Sequence, residues 1–465
     1  MPERLLNIGT DSQFSSTRWR ASRYNLIRRG HDDTMLIYNT YSGALGGVLS
    51  ENEELVRTTF KKGYEGEMTP VIQELIDAGF LIREGTNEMA RVRALRQKAD
   101  DPRLFHLILM SSEDCNFRCV YCYESFPRDR MEPWVQDAIV RLVESRAKGL
   151  DQLVISWFGG EPLKAADIVQ DVMDRVRLAA DPYGIAVSAN ATTNGYYLTP
   201  ELTQELVSRG VRTFTVTVDG MADVHDTHRV GRHGEKTFDI IMGNLQALQR
   251  TDIPFKINLR CNFDQETDIE RFVAYVADHF AGDDRFHLFF RPVGKWGGPN
   301  DDDLAVCTGR DATQTMIGAD LQAVNAGVRL AVEAEFMQPL GTVCYAAKSN
   351  SFLIGADGTV YKCTVALESD FNKIGTITQD GWLDLDHDKL LLWTDHHGDD
   401  DKTCTSCFFR PSCHGSSCPL IRIESGRRPC PKEKDGVSQM IPLLWEAAKK
   451  FPGALEEPTV LGSMD

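Results

Sequence analysis

Three cysteines fall within eight residues, Cys115-Asn-Phe-Arg-Cys119-Val-Tyr-Cys122, and seven more lie between Cys344 and Cys430. A CxxxCxxC triplet supplies an odd number of thiolates for a closed tetrahedral zinc site, which needs a fourth nearby ligand. It suits a cubane [4Fe–4S] cluster in which cysteine holds three irons and the fourth is left free to bind something else. Tyr121, just before the last cysteine, places a rigid aromatic where such a ligand would lie. The second group reads Cys344-x13-Gly358-x4-Cys363, then Cys404-x2-Cys407-x5-Cys413-x4-Cys418, then Cys430. Pro411 and Gly415 make the four-cysteine stretch too turn-rich for a helix, so it is predicted to wrap around metal. CxxC spacing alone leaves zinc and iron–sulfur chemistry both open. Cys261 reads as an inward-facing core residue of a strand.

Composition sets the limits of this chemistry. The chain has 465 residues, 51 Lys and Arg against 68 Asp and Glu, and a formal charge of −17. That length predicts two to four domains at roughly 100–200 residues each, and 42% hydrophobic residues suffice for packed cores. The acidic balance argues against a nucleic-acid grip, which needs a basic stripe to meet phosphate. No apolar run is long enough to span a membrane. The polar start, Met1–Arg20, lacks the apolar core of a signal peptide, so a cytoplasmic protein is expected. In a reducing cytosol twelve cysteines mean metal ligands, catalytic groups or core residues, not disulfides.

The elements that must position the first triplet are legible from periodicity. Six apolar, β-rich runs, Phe105–Met110, Leu153–Phe158, Ile185–Thr192, Val211–Val218, Phe255–Asn262 and Phe286–Val293, alternate with helical patterns. The clearest helix carries Val135, Ala138, Ile139, Leu142 and Val143 on one stripe. Such alternation implies parallel strands with right-handed crossovers, here a partial, six-unit version of the eight-fold α/β barrel. Chemistry in such barrels sits at the C-terminal ends of strands. The Cys115 loop, Gly159-Gly160-Glu161-Pro162, Thr193-Asn194-Gly195, Asp219-Gly220, Arg260-Cys261-Asn262 and Gly294–Gly298 follow that rule and are expected on one rim. Further on, Gly355-Ala-Asp-Gly358 between Ser351–Ile354 and Thr359–Lys362 predicts a β-hairpin that brings Cys344 and Cys363 together. The acidic runs Asp301–Asp303 and Asp399–Asp401 read as solvated loops.

The first hundred residues form a separate unit. Strand-like patches in Met35–Leu49, a helix over Glu51–Lys62, a second helix from the Thr69 cap and Pro70 through Asp77, and the run Phe80–Arg83 give a small winged-helix-like plan. Arg91–Asp101 is expected to be a helical linker.

At the CxxxCxxC loop the chain resembles the radical S-adenosylmethionine (SAM) enzymes. In that family the three cysteines, here Cys115, Cys119 and Cys122, hold a [4Fe–4S] cluster whose open iron chelates SAM. One electron then cleaves SAM to a 5′-deoxyadenosyl radical that takes a hydrogen atom from substrate. Gly159, Gly160, Glu161 and Pro162 match the GGEP motif that meets the SAM amino group, and Thr217-Val-Asp219-Gly220 is similar to the SxDG segment that meets ribose and carboxylate. Tyr121, Asn194 and Arg260 are expected cofactor contacts on the same rim. His225-Asp226-Thr-His228-Arg229 resembles the HDxxR segment, with Arg229 as an anion contact and the histidines in solvent-facing or supporting roles.

The C-terminal cysteines resemble the SPASM extension, which binds two auxiliary clusters. The resemblance implies Cys344, Cys363 and Cys418 on the first and Cys404, Cys407, Cys413 and Cys430 on the second, for three [4Fe–4S] clusters in all. The spacing before Cys418 is one residue longer than usual. The first auxiliary set lacks a fourth cysteine, so it either keeps an open site for a substrate thiolate or recruits Cys307. The implied organisation is a leader-recognition-like module and linker at 1–100, a radical SAM core at 101–300, a bridging region at 301–343, an auxiliary-cluster domain of hairpin and Cys-rich loops at 344–440, and a C-terminal helix and tail at 441–465.

SPASM enzymes largely modify peptides and proteins. Sulfatase-type maturases typically carry Asp immediately after the second hairpin cysteine, where this chain has Thr364, and the N-terminal unit looks like the leader-recognition elements of peptide maturases. The expectation is an enzyme that binds a ribosomally made precursor by its leader and installs a thioether or carbon–carbon cross-link, reduced by a flavodoxin or ferredoxin. A formylglycine-forming maturase and a non-catalytic zinc- or cluster-binding adaptor are the alternatives.

Overall fold

Side-chain alternation decides the barrel strands. In Gln152–Gly159, Leu153, Ile155, Trp157 and Gly159 are buried while their neighbours are less so, and Lys256–Phe263 repeats the pattern with Ile257, Leu259, Cys261 and Phe263. In the computed structural model, which describes residues 18–331, 333–453 and 459–461, the six expected strands are Leu104–Ser112, Gln152–Gly159, Ala186–Thr193, Val211–Thr217, Lys256–Phe263 and Phe286–Pro292. Each pairs in parallel with the next. The result is a mixed α/β fold around a parallel-dominated sheet, in the order of a TIM-like barrel. Residues 1–17 of the expected N-terminal unit and 462–465 of the expected tail lie outside the described residues.

Between the strands run helices whose apolar stripes face the sheet. Pro133–Arg146 starts with proline at its first position and buries Val135, Ala138, Ile139, Leu142 and Val143. Each such aliphatic side chain contributes about 1.5–3 kcal/mol by leaving water. Asp268 caps Ile269–Phe280 by accepting from the Arg271 amide at 3.0 Å.

The sheet grows beyond the six strands on both edges. Residues 301–343, expected as a bridge, contain helix Gly309–Asn325 and the short strand Arg329–Leu330, which pairs in parallel with the sixth strand. On the other edge Ser351–Ile354 pairs in parallel with the first strand. It then turns into the expected antiparallel hairpin with Thr359–Tyr361, and Lys373–Ile377 and Leu383–Leu385 extend it. The hairpin therefore continues the barrel sheet instead of standing apart from it.

His106 marks this joint. Its ring nitrogens meet Ser156 Oγ on the second strand at 2.9 Å and Ser351 Oγ on the hairpin at 3.0 Å. Burial, with Lys348 and Lys362 nearby, lowers its pKa to about 4. The folded value lies below the unfolded one, so neutral His106 contributes stability that is complete above about pH 6.5 and is lost as pH falls towards 4. Denaturant titrations from pH 7 to 4 are expected to show a loss of roughly 2–3 kcal/mol through this group, and His106→Asn is expected to flatten that slope.

In the N-terminal unit Asn25–Arg29, Met35–Asn39 and Leu45–Val48 form an antiparallel sheet, followed by helices Glu53–Lys62 and Pro70–Asp77. Leu81–Arg83 pairs with Trp19–Ala21. Thr69 Oγ1 accepts from the Ile72 amide and Pro70 opens the second helix, as expected from sequence. Helix Glu88–Ala99 provides the linker. A fourth strand, Thr459–Leu461, joins the sheet beside Leu45–Val48. The unit rests on the C-terminal region through Thr40 Oγ1, which donates to Phe408 O at 2.6 Å, and Arg96, which donates to Ala347 O at 2.7 Å.

Three expectations for the C-terminal region need correction. The four-cysteine stretch is helical in short pieces, Lys402–Ser406, Arg410–Cys413 and Pro419–Ser425, because Asp401 caps the first and Pro411 and Pro419 start the next two. The acidic runs are not merely solvated: Asp399 pairs at 2.6 Å with Arg410, only 2% exposed, Asp401 pairs with Arg428, and Asp301 accepts from the Gly297 amide at 2.8 Å. The C-terminal helix begins at Lys432, not 441, and runs to Lys450. It packs on Gly309–Asn325 and on the N-terminal sheet. No helix among the described residues is long and apolar enough to cross a membrane.

Candidate functional site

The Cys115 loop leaves the first strand and is held in place by backbone contacts. Phe117–Cys119 pairs antiparallel with Arg229–Gly231, the Cys122 amide donates to Cys119 O at 3.0 Å, and the Val120 amide donates to His228 O at 2.9 Å. The two glycines after the second strand make room for it. Gly159 has φ +114°, and a Cβ there would lie 2.2 Å from Ser112 O; at Gly160 it would lie 2.5 Å from Asp114 O. Both are glycine because the backbone of the cysteine loop passes directly over them.

Charge fastens the same loop from outside. Asp114 receives Lys164 at 2.9 Å, Arg118 at 3.1 Å and Arg232 at 2.7 Å. Burial opposes its charge, yet the Lys164 and Arg118 hydrogen bonds hold its pKa down at about 2. None of these four was singled out from sequence; the available signal was a cluster of unlike charges next to the strand-end motifs.

Glu161 is fully buried and faces the protein. Its carboxylate accepts from the Leu163 amide at 2.9 Å, Thr193 Oγ1 at 2.8 Å and the Asn194 amide at 2.7 Å. Burial raises its pKa to about 7 against those hydrogen bonds. Its carboxylate thus ties the third strand's end to the second, and Pro162 O accepts from Ser111 Oγ at 2.9 Å. Asn194 in turn points at the loop, its Nδ2 lying 2.8 Å from Asn116 Oδ1 and 3.8 Å from Cys115 Sγ.

The remaining expected residues converge on Tyr121. Its hydroxyl donates to Asp219 Oδ2 at 2.6 Å and accepts from Arg229 Nη1 at 2.7 Å and Asn262 Nδ2 at 3.1 Å. Tyr121 is therefore the hub of a buried polar knot and not a bare aromatic platform. Arg260 donates to Thr217 Oγ1 at 2.7 Å beside it. His228 stands 3.8 Å from Asp219 and 3.4 Å from Asp264. His225 accepts the Asp219 amide at 3.1 Å and lies 3.0 Å from Thr237 Oγ1. Both histidines are buried, so the solvent-facing reading fails while the supporting one stands. Sequence reasoning missed Asn262's role. Cys261 is fully buried, but on the strand face opposite Arg260 and Asn262. Its neighbours there are Asp219, the Gly220 backbone and Asp264.

Electrostatics suits an anionic or zwitterionic ligand. Burial opposes the charge on Arg229, yet Cys119, Tyr121 and Asp219 beside it hold its pKa well above the usual value. Burial pushes the Cys122 thiol up to about 12 and raises Cys115 and Cys119 as well. Such thiols become ligands only when a metal displaces their protons. Within the knot Asp219 Oδ1 and Arg229 Nε are buried with no hydrogen-bond partner. One orphaned acceptor and one orphaned donor are the complements of an ammonium and a carboxylate on the same molecule.

The C-terminal cysteines fall into two groups. Cys344, Cys363 and Cys418 lie within electrostatic reach of one another. Cys404, Cys407, Cys413 and Cys430 line one small pocket together with Arg410, Arg428 and Lys434. Cys307 lies near neither the first group nor its pocket: its neighbours are Asp264 and Asp311, and it lines a cavity of about 1030 Å³ with Trp296, Lys432 and Cys430. Thr364 is engaged by Tyr345, whose hydroxyl lies 2.9 Å from Thr364 Oγ1. Among the described residues, no three or more His, Cys, Asp or Glu are gathered to hold a single metal ion. In the second group, thiols around one pocket with cations beside them fit the larger, negatively charged body of an iron–sulfur cluster.

Residues 109–273 match the radical SAM superfamily, a span that contains the cysteine loop, Gly159–Pro162, Asp219, Arg229 and Arg260. That stretch is similar to a radical SAM domain. SAM and a [4Fe–4S] cluster are the cofactors that such a domain implies. An AdoMet-dependent heme synthase of Methanosarcina barkeri is 30% identical over 187 residues, 39% of this chain and 49% of that protein. A cysteine-type anaerobic sulfatase-maturating enzyme of Clostridium novyi is 21% identical over 336 residues, 67% of this chain and 87% of that protein. The solved structure of Streptococcus suis SuiB bound to precursor peptide SuiA superposes with a TM-score of 0.50 at 13% identity, covering 88% of this chain and 97% of that chain. Residues 104–465 alone do not fill that 88%, so the fold shared with SuiB reaches into the N-terminal unit. The chain spans about half the length of the heme synthase and of several other curated relatives it matches.

Proposed function

We propose that this radical SAM chain is a peptide maturase that installs a cross-link, a thioether or a carbon–carbon bond, in a ribosomally made precursor peptide. Cys115, Cys119 and Cys122 would hold the SAM-binding cluster, Cys344, Cys363 and Cys418 the first auxiliary cluster, and Cys404, Cys407, Cys413 and Cys430 the second. When bound, SAM and the clusters supply a 5′-deoxyadenosyl radical and an acceptor for the departing electron.

The observation that carries the reading is the place of Tyr123. It is half-buried, with Glu124, Cys122, Cys363 and Arg260 within electrostatic reach. The barrel's cysteine loop and the hairpin cysteines thus flank one region, because strand Ser351–Ile354 is hydrogen-bonded to the first barrel strand. Asp219 and Arg229 would meet the ammonium and carboxylate of SAM with their orphaned atoms, and Tyr121 and Asn262 hold those side chains in register. Asn194 steadies Cys115. The first auxiliary group offers three thiols, and with Cys307 turned to Asp264 and Asp311, the fourth position is left for a substrate thiolate. The chain's cross-link removes two hydrogens from the peptide, one as an atom taken from carbon and one as a proton, with one electron leaving.

Support for a peptide substrate comes from the fold shared with SuiB, bound to its precursor. The N-terminal sheet and helix Pro70–Asp77 would receive the leader by strand addition. A flavodoxin or ferredoxin would supply the electron, and with a charge of −17 and no basic stripe no nucleic acid is expected as partner. The length of the match to the sulfatase-maturating enzyme favours formylglycine formation as the second reading; Thr364, held by Tyr345, stands where that chemistry has its acid–base carboxylate. Mass spectrometry of a short Cys- or aromatic-rich peptide encoded beside this gene and co-expressed with the enzyme tests the choice. A loss of two hydrogens per cross-link is expected; turnover of a CxPxR peptide without any leader would establish the second reading instead.

Arg229→Met tests the ligand contact. It removes the cation beside Cys119 and one donor to Tyr121 and is expected to weaken SAM binding roughly 10–100-fold, as for loss of a charge-assisted contact of about 1.5–3 kcal/mol. Equilibrium dialysis of the reconstituted protein measures it.

A further inference from the structure

The N-terminal sheet takes its outermost strand from the far end of the chain. Thr459–Leu461 pairs in parallel with Leu45–Val48, with Thr459 opposite Gly46, Val460 opposite Gly47 and Leu461 opposite Val48. The same strand lies against helix Pro70–Asp77. Leu461 is fully buried in the cluster that includes Val48, Val71, Ile72 and Leu75. This position, a sheet edge flanked by a helix, is where an extended peptide would add.

The hold is slight. Among the described residues it amounts to three backbone pairs and one buried leucine, which barely offset the ordering of three residues. The strand belongs to the same chain as the edge it covers, and that covalent tether makes the pairing intramolecular. A strand held in this way yields to a longer peptide that makes more ladder hydrogen bonds and fills the same aliphatic socket.

We propose that Thr459–Leu461 is an intramolecular competitor: it covers the peptide-binding edge of Leu45–Val48, and an extended precursor segment bearing an aliphatic residue at the Leu461 position displaces it. The inference rests on the reading of the N-terminal unit as the peptide-binding module and adds the occupant of its resting state and the side chain it selects. It also makes peptide binding self-limiting, since only a segment that outcompetes the tether gains the edge.

The test uses a labelled synthetic peptide of residues 454–465 and fluorescence anisotropy. A variant lacking 454–465 is expected to bind it at least tenfold more tightly than the full chain, and Leu461→Asp in the full chain is expected to approach the shortened variant. Equal binding by all three, or none by a shortened variant whose Met35–Asn39 amides remain protected from hydrogen exchange, overturns the proposal. Exchange in the full chain is the independent check should the shortened variant not fold. Amides 459–461 are expected to exchange at least a hundredfold faster than Met35–Asn39, and equally slow exchange would make the strand a fixed part of the sheet. Failure of the maturase reading is distinguishable: tail-peptide binding that depends on removal of 454–465, with no modified precursor, would leave the competitor and remove the chemistry. Equal cross-linking with and without 454–465 would do the reverse.

Discussion

Replacing Cys115 with alanine is expected to abolish 5′-deoxyadenosine formation while leaving peptide binding intact. The residue is buried at the start of the loop, its Sγ accepts from the Phe117 amide at 3.3 Å, and Asn194 approaches it from the third strand. With it gone, the loop keeps only the thiols of Cys119 and Cys122. Loss of an outer-shell partner typically lowers metal affinity about 10–100-fold, so loss of the ligand itself is expected to lower SAM cleavage by more than about a hundredfold. The N-terminal sheet is formed by residues distant in sequence from Cys115, and its contacts to the rest of the chain include those of Thr40 with Phe408, Tyr38 with Met337 and the sheet with helix Lys432–Lys450, none of them in the cysteine loop. Chromatographic measurement of 5′-deoxyadenosine together with peptide anisotropy separates the two functions. Retained cleavage in the variant would mean that the cluster is held elsewhere.

Gly159→Ala is expected to be the most damaging substitution that touches no ligand. At φ +114° an alanine is strained before any contact is made, and its Cβ would lie 2.2 Å from a backbone oxygen that cannot move without shifting the first strand. The combined cost is about 3 kcal/mol or more. Relief would push Ser112 and the following loop outward and so displace Cys115. A fall in unfolding midpoint together with loss of bound iron is the expected result in parallel melts and iron assays. Gly149→Ala, where a Cβ meets nothing within 4 Å, is the matched control and is expected to stay within about 0.5 kcal/mol of the parent.

The barrel was readable because its two signals are local. Strand alternation and helix stripes repeat within a dozen residues, so Leu153, Ile155 and Trp157, or Val135 through Val143, declare their faces without knowledge of partners. The cysteine loop and Gly159–Pro162 were readable because their chemistry depends on types and spacing. What escaped was set by contacts between distant segments. Ser351–Ile354 joins the barrel through pairing with a strand some 240 residues earlier, and nothing in either segment names the other. Tyr121 looked like a platform, and only the convergence of Asp219, Arg229 and Asn262 turns it into a hydrogen-bond hub. The helices among the C-terminal cysteines were hidden because Pro411 and Gly415 read as turn residues, whereas Pro411 sits in the first turn of its helix, where proline is a starter. The strand Thr459–Leu461 is too short to carry a periodic signal at all.

Three clusters held by the cysteine groups, one of them used by the barrel on SAM, can be measured in one preparation by anaerobic reconstitution, iron analysis and incubation with dithionite and SAM. About twelve irons per chain, four for each cubane, and accumulation of 5′-deoxyadenosine are expected. Zinc in place of iron, with no 5′-deoxyadenosine, would contradict that expectation.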